Sequence, residues 1–293
     1  MKGRTGVIFF ALAVLLCTSC VNFSRVEEVE NPGEIEFFYN PYTQKIVEYH
    51  PHTKKTQLWD HADNQFQFNV DHGDIFVNGN SMTNDFGLLK LARKSISNIH
   101  NFDQGQGVFP IGMVDHNLYY IHTYYDENGA ENTEKRRIGV YNLKTQENID
   151  YSNTGGAIDY GAVGDEYIYY TVYNSENDDY SLYRVLRDEI SGAPEEMRSG
   201  LKDGLVLIGN GDLYTSDGIN LISDHKTFKK ETENFFRGNY LFQYILNEES
   251  QLALKVTNIE SDHSFFEEDI IGVRMEGNKI VICKQDGVVS HEL

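Results

Sequence analysis

The chain has 293 residues, enough for one large repeat domain or two ordinary ones, and its 17 Phe and 19 Tyr stand against one Trp and five Pro. Such a composition suits sheet interiors. Formal charge is −20, and a cleaved leader carrying Lys2 and Arg4 would take the mature chain to −22. A phosphate backbone is bound by clustered Lys and Arg, and no such cluster appears, so nucleic acid is excluded as a partner.

Residues 1–20 read MKGRTGVIFFALAVLLCTSC. Lys2 and Arg4 form a positive n-region, and Val7 to Leu16 form an apolar run of secretory length, too short to span a bilayer as a helix. The end, Cys17-Thr18-Ser19-Cys20, resembles the lipobox of bacterial lipoproteins, with Cys17 where that pattern usually has Leu. The resemblance implies that Cys20 is lipidated and becomes the mature N-terminus, on the outer side of a bacterial membrane at the cell surface or in the periplasm. Two acyl chains on one Cys suffice for stable anchoring. An ordinary secretory signal with an incidental Cys, or an uncleaved anchor, is the competing reading. Residues 21–33 form a polar tether, with one candidate strand at Ser24–Glu30, and the folded domain is expected over 34–293.

From Glu34 onward one hairpin recurs. Val70–Phe76, Val114–Tyr120, Val163–Tyr170, Ile208–Tyr214, Phe236–Phe242 and Met275–Val281 each join an apolar strand end, a turn rich in Gly, Asn or Asp, and an aliphatic–aromatic opening. Their last residues step by 44, 50, 44, 28 and 39, the period of a β-propeller blade. These turn residues tolerate positive φ, and a type I′ turn is expected at each. An outer hairpin at Tyr49–Thr53 recurs at Tyr141–Thr145, joining third to fourth strands. Counting second strands, including Glu34–Asn40, gives seven, whereas the clear inner hairpins number six. The expectation is therefore an all-β propeller of four-stranded antiparallel blades, seven favoured over six. Strands from the two chain ends should share a blade, because an open ring exposes sheet edges.

The stretch YIYYTVYNSENDDYSLYRV at 167–185 resembles bacterial propellers related to low-density-lipoprotein-receptor-type domains, whose blades carry an IYY…LYR signature. That resemblance implies a blade and a bacterial lipoprotein setting, not a chemistry. The receptor family's Tyr-Trp-Thr-Asp tetrapeptide is absent, so no peptide-ligand site is carried over.

Chemistry-bearing residues are sparse. Cys283 is alone in the mature domain, which excludes a disulfide and points to a buried, inert thiol. His72 and His116, each after an Asp, occupy equivalent turns, and repeat inheritance explains them better than a metal site, since successive turns lie a blade apart. Nucleophile elbows, zincin motifs and phosphate loops are missing. Loops joining second to third strands gather at one mouth of a propeller, the default place for ligands. There the sequence supplies the Asp126–Glu134 insertion and the Asn174–Tyr180 stretch, with Tyr124, Tyr125, Asp126, Glu127, Tyr173, Glu176, Asp178 and Asp179 as candidate ligand-binding residues. Aromatics beside carboxylates suit a glycan, a cationic peptide or protein, or a calcium-bridged ligand; a solvated acidic rim is the plain alternative. A binding or scaffold module is favoured, with a glycan hydrolase or lyase using mouth carboxylates as the rival.

Overall fold

The computed structural model describes residues 29–30, 35–59, 65–71, 73–80, 85–103, 105–126, 130–151, 154–189, 191–247 and 249–293. Cys20 with its leader, most of the tether, His72 and Glu127 lie outside them. The described residues form strands throughout, apart from one 3₁₀ turn at Thr133–Lys135. In chain order the first are β1 (Val29–Glu30), β2 (Glu36–Asn40), β3 (Lys45–His50) and β4 (Lys55–Trp59). A first full blade follows as β5 (Gln65–Asn69), β6 (Ile75–Asn80), β7 (Asp85–Ala92) and β8 (Ser95–Asn101). The second is β9 (Gln106–Val114), β10 (Asn117–Tyr124), β11 (Arg137–Asn142) and β12 (Asn148–Asp150). The third is β13 (Ile158–Val163), β14 (Tyr167–Asn174), β15 (Asp179–Leu186) and β16 (Glu195–Leu201). The fourth is β17 (Val206–Gly209), β18 (Asp212–Ser216), β19 (Asn220–Ile222) and β20 (Thr227–Lys229). The fifth is β21 (Glu233–Arg237), β22 (Tyr240–Leu246), β23 (Leu252–Asn258) and β24 (Ser264–Glu267), and the chain ends in β25 (Ile270–Glu276), β26 (Lys279–Lys284) and β27 (Gly287–Glu292).

These strands make six antiparallel sheets, so the propeller has six blades and the favoured seven is corrected. The seventh was to have been the unit opened by Glu34–Asn40. Instead β2 pairs with β25 through Tyr39 and Val273, and Asn40 Nδ2 donates to the Ile271 carbonyl at 2.8 Å. Two three-stranded meanders, β2–β4 and β25–β27, thereby become one sheet in the order β27-β26-β25-β2-β3-β4. The chain ends share a blade as expected. The short β1 adds to the outer edge of the first blade, opposite Ser95 and Ile96, covering an edge that would otherwise invite pairing.

The repeated hairpins lie where the sequence puts them, but their turns differ in type. Asn210-Gly211 has positive φ at both residues, the type I′ pattern, whereas Asp115, Gly238 and Gly277 are positive at the first turn position alone, as in type II′. The first copy opens into a wider loop, closed by Val70 N–H donating to the Ile75 carbonyl. First strands line the axis and touch in succession, β5 to β9 to β13 to β17 to β21.

Period-two alternation decides how blades stack. On β10, Leu118 and Tyr120 pack with Val77, Phe86 and Leu88 of the preceding blade, while Tyr119 and Ile121 pack with Ile158, Ile168 and Tyr170 of the following one. All of these are 4% exposed or less, and all but Tyr119 and Ile121 are 2% or less. Each is worth roughly 1.5–3 kcal/mol by area removed from water. The Tyr120 ring lies across Gly139 of β11, where a Cβ would stand 2.6 Å from the ring, and its hydroxyl thereby reaches Asn148. Any larger residue at 139 would displace that ring.

Candidate functional site

The expected loop residues divide into two unequal groups. The connection from β10 to β11 is a genuine insertion, held by its own contacts. Tyr125 bridges to Glu131, Asp126 N–H donates to the Ala130 carbonyl, and Ala130 N–H donates back to Asp126 Oδ1 at 2.9 Å. The connection from β14 to β15 is instead a tight turn at 175–178, flanked by paired Asn174 and Asp179. Asp178 takes the left-handed conformation and accepts from the Tyr173 hydroxyl at 2.9 Å; the Glu176 N–H donates to Asn174 Oδ1. Asp179 lies within β15, so the Asn174–Tyr180 stretch is hairpin rather than a long loop.

What links the two connections is Arg136, which sequence reasoning passed over. Its guanidinium donates to Glu131 at 2.6 Å and, across the blade boundary, to Asp159 Oδ1 and the Ile158 carbonyl, both at 2.6 Å. Asp159 in turn raises the Tyr180 and Tyr173 hydroxyls, burial being the larger cause at Tyr180 and the bond to Asp178 at Tyr173. Part of the acidic charge is therefore compensated inside the protein. The Arg136-Arg137 pair directly after the acids was the available signal.

Tyr124 belongs to a different constellation, between the first two blades. Its hydroxyl donates to Asp150 Oδ2 at 2.5 Å, and the same carboxylate lies 2.9 Å from Nδ1 of the buried His122. His122 Nε2 meets Gln106 Oε1 at 2.8 Å. Burial alone would raise the Asp150 carboxyl, but the bonds from His122 and Tyr124 outweigh it and hold it below the usual range. Both ring nitrogens of His122, both Asp150 oxygens and the Tyr124 hydroxyl are engaged with one another or with Gln106, the pattern of a structural network.

The ring axis carries a cavity of about 170 Å³. Its walls are aromatic: Tyr39 from β2, Phe68 from β5, Phe235 from β21, and Phe242 and Tyr244 from β22. Phe235 stacks on Phe242 with centroids 4.8 Å apart and lies 5.8 Å from the Tyr244 ring. Two charged side chains border it, Arg274 and Glu233. Arg274 is spent on its neighbours: Nη2 donates to Glu36 at 3.0 Å, Nε to Glu276 at 2.8 Å, and the guanidinium lies 4.3 Å over the Phe38 ring. Glu233, at the first position of β21 opposite Tyr244, makes no hydrogen bond or ion pair with any described residue. Its side chain borders the cavity and is exposed to solvent, and partial desolvation by the surrounding protein raises its carboxyl despite the nearby Lys230. Lys230 is itself paired with Asp203, and Asn234 beside it is bonded to Glu231 and Gln243. Sequence reasoning missed Glu233, one acid among 45.

Cys283 is buried on β26, and burial pushes its thiol up to about 12, as an inert core cysteine requires. His116 sits in the exposed β9–β10 turn. Among the described residues no group of three or more His, Cys, Asp or Glu side chains is placed to hold a metal ion.

The architecture is shared with solved propellers. TolB from Acinetobacter baumannii superposes with a TM-score of 0.52 at 11% identity, over 81% of this chain and 64% of that one. This chain thus spans less than two thirds of that protein's length. An acylaminoacyl peptidase from Pyrococcus horikoshii is similar at a TM-score of 0.49 and 11% identity, over 85% of this chain and 46% of that one. A functionally unknown protein from Desulfotomaculum acetoxidans is similar at 0.45 and 8% identity, over 89% and 93% of the two chains. At such identities the likeness to TolB is one of fold alone. No protein-family model and no curated protein matches the chain.

Proposed function

We propose that this chain is a membrane-anchored, extracytoplasmic lipoprotein whose β-propeller is a binding or scaffold module. The leader ending at Cys20 supports the address, and the IYY…LYR pattern at 167–185 supports kinship with bacterial propellers of the low-density-lipoprotein-receptor type. The observation that carries binding is the axial cavity, aromatic-walled and bordered by a carboxyl with no hydrogen-bond or ion-pair partner among the described residues. Apolar pockets with few convergent polar groups are the usual form of a ligand site. A glycan hydrolase or lyase would need two carboxyl groups about 5–9 Å apart around one cavity. Among the described residues lining this one, Glu233 is the single carboxylate. The β10–β11 insertion, with Tyr125 and Asp126, serves as the accessory rim.

One experiment tests address and activity class together. Wild type and Cys20→Ala are compared in detergent phase partitioning, and the wild type is then screened on glycan and peptide arrays with product analysis. Partitioning of wild type alone, with retention and no turnover, is the expected result. A wild type that stays in the aqueous phase refutes the anchor, and cleaved array products refute the binding assignment.

A further inference from the structure

Resting on that binding reading, we infer that the axial cavity receives an alkylammonium group, with Glu233 as counter-ion and the rings of Tyr39, Phe235, Phe242 and Tyr244 as its walls. The charge on the ligand follows from the accounting of the site. Of the two charged side chains at the cavity, Arg274 is bonded to two carboxylates and stacked on a ring, which leaves no call for an anion. Among the described residues Glu233 has no such partner, and the one cation there that lowers its carboxyl, Lys230, is held by Asp203. A partly desolvated carboxylate at a cavity is favoured by a cation that joins it.

Aromatic walls supply the rest of the recognition, with the half-buried Phe235 the most accessible ring and the buried Tyr39, Phe242 and Tyr244 packed behind it. Ring quadrupoles attract cations. Size agrees as well. A cavity of about 170 Å³ compares with one of about 150 Å³ that accepts benzene. It therefore admits roughly six heavy atoms, the terminal butylammonium of a lysine or one end of a free aliphatic amine.

The test uses the full-length protein in detergent, with n-butylammonium, neutral 1-butanol, and capped lysyl and norleucyl tripeptides as probes in calorimetric titrations. Wild type should bind each charged probe at least about tenfold more tightly than its neutral counterpart, the effect of one charge-assisted contact. Glu233→Gln should erase that preference while melting as cooperatively as wild type. Phe235→Leu, which keeps an apolar wall but removes a ring, should weaken the charged probes and spare 1-butanol. A lysyl tripeptide tighter than n-butylammonium assigns the group to a protein partner, and equal affinities assign it to a free amine; either supports the inference. Equal binding of charged and neutral probes, wild-type preference in Glu233→Gln, or no binding by folded wild type overturns it. Retention of another ligand class on the arrays would then leave the broader binding role standing.

Discussion

Two carboxylates in aromatic surroundings have opposite fates in this ring. Asp150, between the first two blades, accepts from Tyr124 and faces His122, and its carboxyl is held below the ordinary range. Glu233, on the axis, meets no hydrogen-bond donor among the described residues, and its carboxyl is raised. Glu36 sides with Asp150: it is buried between Arg93 and Arg274, and those partners overcome its desolvation. In an acidic protein, a carboxylate whose lone pairs are filled from within is architecture. One left open inside a cavity is where an external group can gain most.

Removing the partner of a paired carboxylate should have the largest effect. Arg274→Met strips Glu36 of one of two guanidiniums while Glu36 remains 6% exposed, and a broken buried pair costs about 3–5 kcal/mol. Chemical denaturation should show that loss as a lower midpoint, and an unchanged midpoint would mean that Arg93 alone sustains Glu36. A smaller loss is expected for Asp150→Ala, about 1–3 kcal/mol, because the buried His122 and the Tyr124 hydroxyl lose their acceptor. Thermal melting of that variant, read beside Tyr124→Phe, would separate the His122 contact from the Tyr124 contact.

The sequence made the strands legible and the pairings between distant strands much less so. Turn residues such as Asn210-Gly211 and alternation such as Leu118-Tyr119-Tyr120-Ile121 are local, so hairpins and blade faces could be read directly. The blade count failed because it depends on Tyr39 meeting Val273, a contact between the two ends of the chain that no local pattern encodes. The same division holds for the site. The Asp126–Glu134 insertion was visible as a run of polar residues, but Arg136 reaching Asp159 in the next blade was not. Glu233 was invisible for a further reason: what distinguishes it from the other acids is its place on the cavity wall, and that exists only once the ring has closed.

The smallest expected effect concerns stability at Glu233, and its sign is opposite to the first two. A carboxyl raised in the folded state binds its proton more tightly there than in the unfolded chain, so its contribution to stability is complete below about pH 4.5 and is lost as pH rises through the folded-state titration. Asp150 runs the other way: its carboxyl is lowered, and its contribution is present above about pH 3.8 and lost as pH falls. At neutral pH, Glu233→Gln removes an uncompensated charge and keeps the shape of the side chain. Without ligand it should therefore raise the melting temperature, by a free energy below about 1 kcal/mol, since solvent screens the exposed carboxylate. The advantage over wild type should shrink as the buffer is taken toward pH 4, where the wild-type side chain becomes neutral as well. Adding a saturating alkylammonium probe should reverse the order at neutral pH, because only wild type gains the linked stabilisation of binding. A Gln variant less stable than wild type at pH 7 without ligand would show that Glu233 is satisfied within the protein after all, and the contrast with Asp150 would be lost.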